Sequence, residues 1–157
     1  MKSSPKTVSK PSLDSFFTYP VNDYPLLHID ENHKFWIVTK VRQEVKMSPL
    51  CKALYLLFLQ HPDGISLYEL KMHQADLLNI YKKISRKNDY QMMRTSIIHL
   101  VNRCENSIHE KFTRIKQAFN KVLAPSVASM YYIKGERGKE KKILLSRQLI
   151  HQEQQYH

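Results

Sequence analysis

The sequence predicts an α+β domain, mainly helical, and three observations carry that expectation. Apolar residues recur at helical spacing through most of 48–121. Short β-prone runs stand before and after that region. Glycine and proline sit where the period changes, at Pro49, Pro62, Gly64, Pro125, Gly135 and Gly138. With 157 residues, the chain is long enough for one domain with a core that needs no disulfide staples. The expected organisation is a mobile basic tail at 1–20, a domain at 21–150 and a second tail at 151–157.

The first twenty residues are polar, with Ser, Lys and Pro, and no apolar stretch follows the basic start as a secretory signal would require. Two short apolar runs follow, 26–30 and 35–41, and the polar "ENH" between them predicts a hairpin turn. Val45 and Met47 suggest a third short strand, so a small antiparallel sheet is expected here. At 48 the period becomes helical. Ser48 is the expected N-cap and Pro49 takes the first helical position, where its missing N–H costs nothing. Leu50, Leu54, Leu57 and Phe58 form the buried stripe, and Pro62 and Gly64 end the helix.

The next helix is expected to start in "ISLYEL", where Ser66 and Glu69 have capping-box spacing. It should run through Leu70, Leu77, Leu78 and Tyr81 to about Ile84. "SRKND", 85–89, breaks it. A further helix, 90–104, carries Met93, Ile97, Leu100 and Cys104 in step. "NSIHEKFTRIKQAF" then predicts a helix over 107–121, with Ile108, Phe112, Ile115 and Phe119 on one face. Ser107 and Glu110 repeat the capping-box spacing, and Pro125 marks the end. The last elements are β-prone runs at 131–133 and 143–145. A loop with Gly135 and Gly138 joins them into a hairpin over 131–145 with a basic tip.

Helices followed directly by a β-hairpin are the layout of a winged helix-turn-helix domain, here with an added helix. In that geometry the last helix before the hairpin enters the major groove of DNA. The hairpin tip, the wing, reaches phosphate or the adjacent minor groove. The added helix must bury Met93, Ile97 and Leu100. It does so either in the domain's own core, as a brace, or against a second copy of the chain, as a two-fold dimer.

Charge points the same way. Lys and Arg number 25 against 14 Asp and Glu, for a net +11, and a sequence pI near 9.7 favours polyanionic partners. Residues 101–150 hold 11 basic and 4 acidic residues, so they carry +7 of that excess. No apolar run approaches the ~20 residues of a membrane span, and no membrane partner is expected. The two cysteines, Cys51 and Cys104, lie in helical patterns and are expected as reduced thiols in a cytoplasm, on the nucleoid if the source is bacterial. There is no glycine-rich phosphate loop, no nucleophile elbow and no acid/base pair, so neither an enzyme nor a cofactor is expected. His99, Cys104 and His109 lack the spacing of a zinc motif, and no metal is expected.

On helix 107–121, the side chains expected near base edges are Asn106, His109, Thr113, Arg114 and Gln117, since Arg suits guanine and Asn or Gln suits adenine. Lys111, Lys116 and Lys121 should hold phosphate, as should Lys134, Arg137, Lys139 and Lys141 of the hairpin. Arg86 and Lys87, in a second basic cluster at 81–87, would touch the backbone only if their loop faces DNA. A core helix with a solvated back accounts for the same apolar stripe, and a protein-interaction module or an RNA-binding protein would suit the same composition.

A family resemblance runs over about 26–146. "KMSPLCKALYLLFLQHPDGISLYEL", 46–70, resembles the start of the winged-helix output domain of two-component response regulators, "L-T-P-x-E-x-x-L-L-x-x-L-…-x-P-G-x-x-x-x-x-x-L". Ser48 and Pro49 stand for the Thr-Pro, Leu56, Leu57 and Leu59 for the leucines, and Pro62, Gly64 and Leu70 continue the match. Helix 107–121 resembles that family's recognition helix, "x-V-x-x-H-I-x-x-L-R-x-x-L". Ile108, Phe112, Ile115 and Phe119 take its apolar places, Lys111 the His place and Lys116 the Arg place. "YYIKGERG" is similar to the strand and wing, "I-x-T-V-R-G-x-G-Y". The resemblance implies sequence-specific binding of double-stranded DNA and a role in transcription regulation. The chain departs from the pattern in its longer stretch between Leu70 and Ser107 and in Lys139, which follows Gly138 where the family has Tyr. No receiver domain is expected ahead of it, so control by aspartyl phosphorylation is not implied.

Overall fold

The computed structural model describes residues 24–86, 89–102 and 106–153. The expected N-terminal tail, Lys87 and Cys104 lie outside them. The fold is α+β, with helices packed on one face of a small sheet.

Three strands, β1 (Leu26–Ile29), β2 (Phe35–Val38) and β3 (Arg42–Val45), pair antiparallel in sequence order. Alternation decides which face is buried: Leu27, Ile29, Phe35, Ile37 and Val45 point inward and are buried. The β1–β2 turn forms because Asp30 Oδ1 accepts from the backbone N–H of Asn32 at 2.8 Å and of Lys34 at 3.0 Å. His33 takes the left-handed conformation there, with φ 62°. The expected run 35–41 stops at Val38, because Thr39 N–H turns back to the carbonyl of Val41.

The sheet is mixed, which corrects the antiparallel expectation. β6 (Ile150–Gln152) lies parallel to β1 on its free edge, so the order is β3-β2-β1-β6. The expected tail at 151–157 is shortened by the same finding. His151 and Gln152 belong to the strand, and Glu153 N–H donates to the carbonyl of Ile29 at 2.8 Å. The physical reason is that β1 otherwise exposes an unpaired edge.

Helix α1 (Pro49–Leu59) starts as expected: Ser48 Oγ accepts from Cys51 N–H at 3.3 Å, and Pro49 opens the helix. The Ser66–Glu69 capping box does not form. Ser66 Oγ instead accepts from Tyr68 N–H, a 3-10 turn spans Leu70–His73, and α2 begins only at Gln74, ending at Ile84. Helix α3 (Tyr90–Val101) is capped by Asp89, whose carboxylate accepts from Met92 N–H at 3.0 Å. Its Met93, Ile97 and Leu100 are buried within this one chain, against α2 and α4 (Ser107–Asn120). A short helix α5 (Pro125–Ala128) follows, so Pro125 opens a new turn as well as standing beyond the old helix.

The predicted hairpin is present but shorter. β4 (Ile133–Lys134) and β5 (Lys142–Ile143) pair antiparallel, and Tyr131 and Tyr132 lie in the preceding turn, buried. Ile65 adds a bridge to Lys141 on the other edge. Two tyrosines join hairpin, helices and sheet: Tyr55 hydroxyl donates to the Tyr131 carbonyl at 2.8 Å, and Tyr131 hydroxyl donates to the Pro25 carbonyl. Burial pushes both phenols well above the ordinary tyrosine range, so both stay neutral donors. Arg147 ties the end of the hairpin to the end of α1. Its guanidinium donates to the carbonyls of Ile143 and Leu145 at 3.2 Å and of Phe58 at 3.5 Å.

Gly135 permits the turn into the hairpin loop. A Cβ there would lie 2.2 Å from the Glu140 carbonyl oxygen, so the two arms would have to separate. Gly135→Ala is expected to cost about 1–3 kcal/mol, as other over-packed sites do. Gly138→Ala, at a position with φ 81° but open space around a Cβ, should cost about 1 kcal/mol through backbone strain alone. Urea denaturation of the two variants checks the order; equal losses would refute the close-approach account.

Candidate nucleic-acid interface

Helix α4 separates its two faces cleanly. Ile108, Ile115, Ala118 and Phe119 are buried and Phe112 is half-buried, while Asn106, His109, Thr113, Arg114, Lys116 and Gln117 are exposed, as is Lys121 at the C-cap. The helix does not begin with the expected capping box. Asn106 precedes it without a side-chain cap, and Glu110 turns along the helix instead. Its carboxylate lies 3.3 Å from Lys111 Nζ and 3.1 Å from Arg114 Nε. Those hydrogen bonds, Lys111 first and Arg114 second, hold the Glu110 carboxyl below its ordinary range.

Two of the expected side chains are thus engaged inside the free protein. Arg114 gives only its Nε–H to Glu110, so its terminal amino groups can still meet an anion, but with a carboxylate beside them that opposes its approach. Lys111 is half-buried, because its place on the wheel lies beside Ile115 and Ala118 and away from the outward face. Thr113 donates its hydroxyl to the carbonyl of His109 at 3.0 Å. Glu110 itself was not expected as part of this face, although its spacing to Lys111 and Arg114 carried the signal.

The hairpin stands against the far part of the helix. Tyr132 hydroxyl is hydrogen-bonded to Asn120, and Lys116 Nζ lies 5.6 Å from the Tyr132 ring centroid. Lys139 pairs with Glu136 at 3.1 Å. Lys141, expected at phosphate, donates its ammonium in the free protein to the Gly135 carbonyl at 2.7 Å and the Glu136 carbonyl at 3.2 Å, closing the hairpin loop. Lys134 and Lys142 lie directly opposite each other in the register. Like charges facing across a strand pair are unfavourable in the free protein.

Among the described residues, two clefts lie beside α4. The larger, of about 300 Å³, lies between its start, the hairpin tip and the end of α3, and is lined by Leu70, Leu100, Val101, Ile108, His109 and Arg137 among others. The smaller, of about 170 Å³, lies beside the start of α1 and brings Lys46 and Ser48 to the same surface as Arg114, Gln117 and Lys121. Lys46 was not expected there, since only the tertiary fold places it beside α4. Arg86 ends the described part of the second basic cluster and shares neither cleft. Among the described residues no group of three or more His, Cys, Asp or Glu could hold a metal ion, and no helix is long and apolar enough to cross a membrane. Compared with known proteins, the chain matches no family model, no curated protein and no solved structure.

Proposed function

We propose that this chain is a winged helix-turn-helix protein that binds double-stranded DNA and regulates transcription in the cytoplasm. Helix α4 enters the major groove and the 131–145 hairpin serves as the wing. The observation that carries the reading is the adjacency of an exposed polar helix face and a basic hairpin, joined at Tyr132 and Asn120. The facing pair Lys134 and Lys142 supports it, because a polyanion across both ammonium groups turns their mutual repulsion into favourable contact. His109, Thr113, Arg114 and Gln117 face the base edges. Lys46, Lys116, Lys121, Arg137 and Lys139 face the backbone.

The test is a titration of DNA at several salt concentrations. Arg114→Ala should weaken binding to the preferred site by about 1–3 kcal/mol. Lys142→Ala should weaken all sequences alike and lower the salt slope by about one unit. Glu110→Gln should act in the opposite direction and tighten binding, since it removes a negative charge from the face and releases Arg114. Unchanged affinity in all three variants would favour a protein-interaction module on the same fold, for which the exposed Tyr68 and Met72 offer a surface.

A further inference from the structure

We propose that Glu110 and Arg114 act as one specificity-determining unit: the carboxylate commits the guanidinium to a guanine edge in place of a phosphate, and itself accepts from a cytosine of the same or the neighbouring base pair. This rests on the DNA-binding reading above and deepens it by naming two bases of the preferred site. The evidence lies in which atoms are engaged. Lys111 Nζ and Arg114 Nε both meet Oε1 of Glu110, at 3.3 Å and 3.1 Å. The other oxygen, Oε2, and both terminal amino groups of Arg114 bond to no described residue. Those two hydrogen bonds also keep the carboxyl ionised, so Oε2 can only accept. An exposed ion pair one helical turn apart holds its geometry weakly by itself. Here Oε1 is shared with Lys111, whose side chain is only 19% exposed, and the carboxylate is fixed from the helix side.

Charge decides what such a unit meets. A carboxylate beside a guanidinium repels a phosphate, which is an anion, and does not repel a neutral base edge. The uncommitted fork of Arg114 matches O6 and N7 of guanine, and a carboxylate oxygen accepts from N4 of cytosine. Residues four apart lie about 6 Å apart along a helix, which is within two base-pair steps of ~3.4 Å. One base pair or two neighbours can therefore serve both groups. The other cations of this face are of a different kind. Lys116 and Lys121 have no carboxylate partner among the described residues, so nothing opposes a phosphate beside them. The face thus separates a cation suited to bases from cations suited to the backbone.

Selection from a pool of duplexes with a randomised core tests the unit, followed by titration of the selected duplex and its single-base variants at several salt concentrations. The wild type is expected to enrich a guanine and a cytosine at the same or adjacent base pairs. Replacing either base should weaken binding about tenfold or more. Glu110→Gln should tighten binding to every duplex, and to the mismatched ones most, so the preference for the cytosine relaxes. Glu110→Ala should flatten both preferences together: the cytosine loses its acceptor, and Arg114 becomes free to meet a phosphate. The salt slope should then rise by about one unit. Glu110 variants that tighten all duplexes equally, with both preferences intact, would reduce the residue to an electrostatic brake and overturn the unit. A wild type that binds DNA without preferring this guanine and cytosine would also overturn it, while leaving the DNA reading standing. Absence of binding to any duplex, by the wild type and by Glu110→Ala alike, would refute the DNA reading and the unit with it.

Discussion

Ile97→Glu is expected to unfold the domain. Ile97 is 0% exposed and belongs to the single core that includes Leu77 of α2 and Ile108 of α4. Loss of the isoleucine side chain alone costs about 2–5 kcal/mol. A carboxylate at that point adds a desolvation cost, because the ion must either lose its water or take up a proton. Domains of this kind hold only about 5–15 kcal/mol in total, so most of the reserve goes. This outcome separates the two roles open to α3. If its stripe braces the core, the variant loses helical circular dichroism and a cooperative urea transition. If the stripe instead joins two copies of the chain, the same substitution converts a stable dimer into a folded monomer. Sedimentation of the wild type and the variant over a wide concentration range, run beside the denaturation curves, distinguishes these results. A folded monomeric variant derived from a dimer would overturn the brace.

Helices α1, α3 and α4 could be read from the sequence because each announces itself locally. Leu54, Leu57 and Phe58 repeat at the helical period, and Ser48 with Pro49 is a start signal complete within four residues. The stripe of α4 was equally plain, since Ile108, Ile115 and Phe119 keep their period on a helix whose other face is polar. What escaped was decided at a distance. Strand β6 is three residues long and includes His151 and Gln152, and its partner β1 lies at the opposite end of the chain. No local pattern distinguishes such a segment from a tail. The capping boxes failed for a different reason, since the spacing at Ser66 and Ser107 permits a cap without requiring one. Ser66 had a nearer partner in Tyr68 N–H, and Glu110 had two cations within reach along its own helix. The candidate interface divides in the same way. The outward residues of α4 follow from periodicity, whereas the arrival of Lys46 beside Arg114 and the diversion of Lys141 onto two carbonyls depend on tertiary placement.

Phe119→Ala is expected to cost about 3–5 kcal/mol, the range for removing a buried aromatic ring. Phe119 is fully buried, with its ring centroid 5.4 Å from that of Tyr55 and 5.5 Å from that of Tyr131. It therefore backs α4 at the point where α1 and the residues entering the hairpin meet. The cavity would open between the helix and the hairpin, and Tyr55 and Tyr131 would lose packing while keeping their hydrogen bonds to backbone carbonyls. Phe119→Leu should cost less, because most of the volume remains. Its effect on DNA affinity is expected to be small so long as the protein is folded, since the residue faces the core and touches no proposed ligand. Urea titration gives the stability losses, and DNA titration well below the melting temperature gives the affinities. A Phe119→Ala variant as stable as the wild type would show that α4 is not anchored through this ring. The consequence would reach the proposed interface, because a helix free to shift cannot hold Thr113, Arg114 and Gln117 in the one register that the proposed base contacts require.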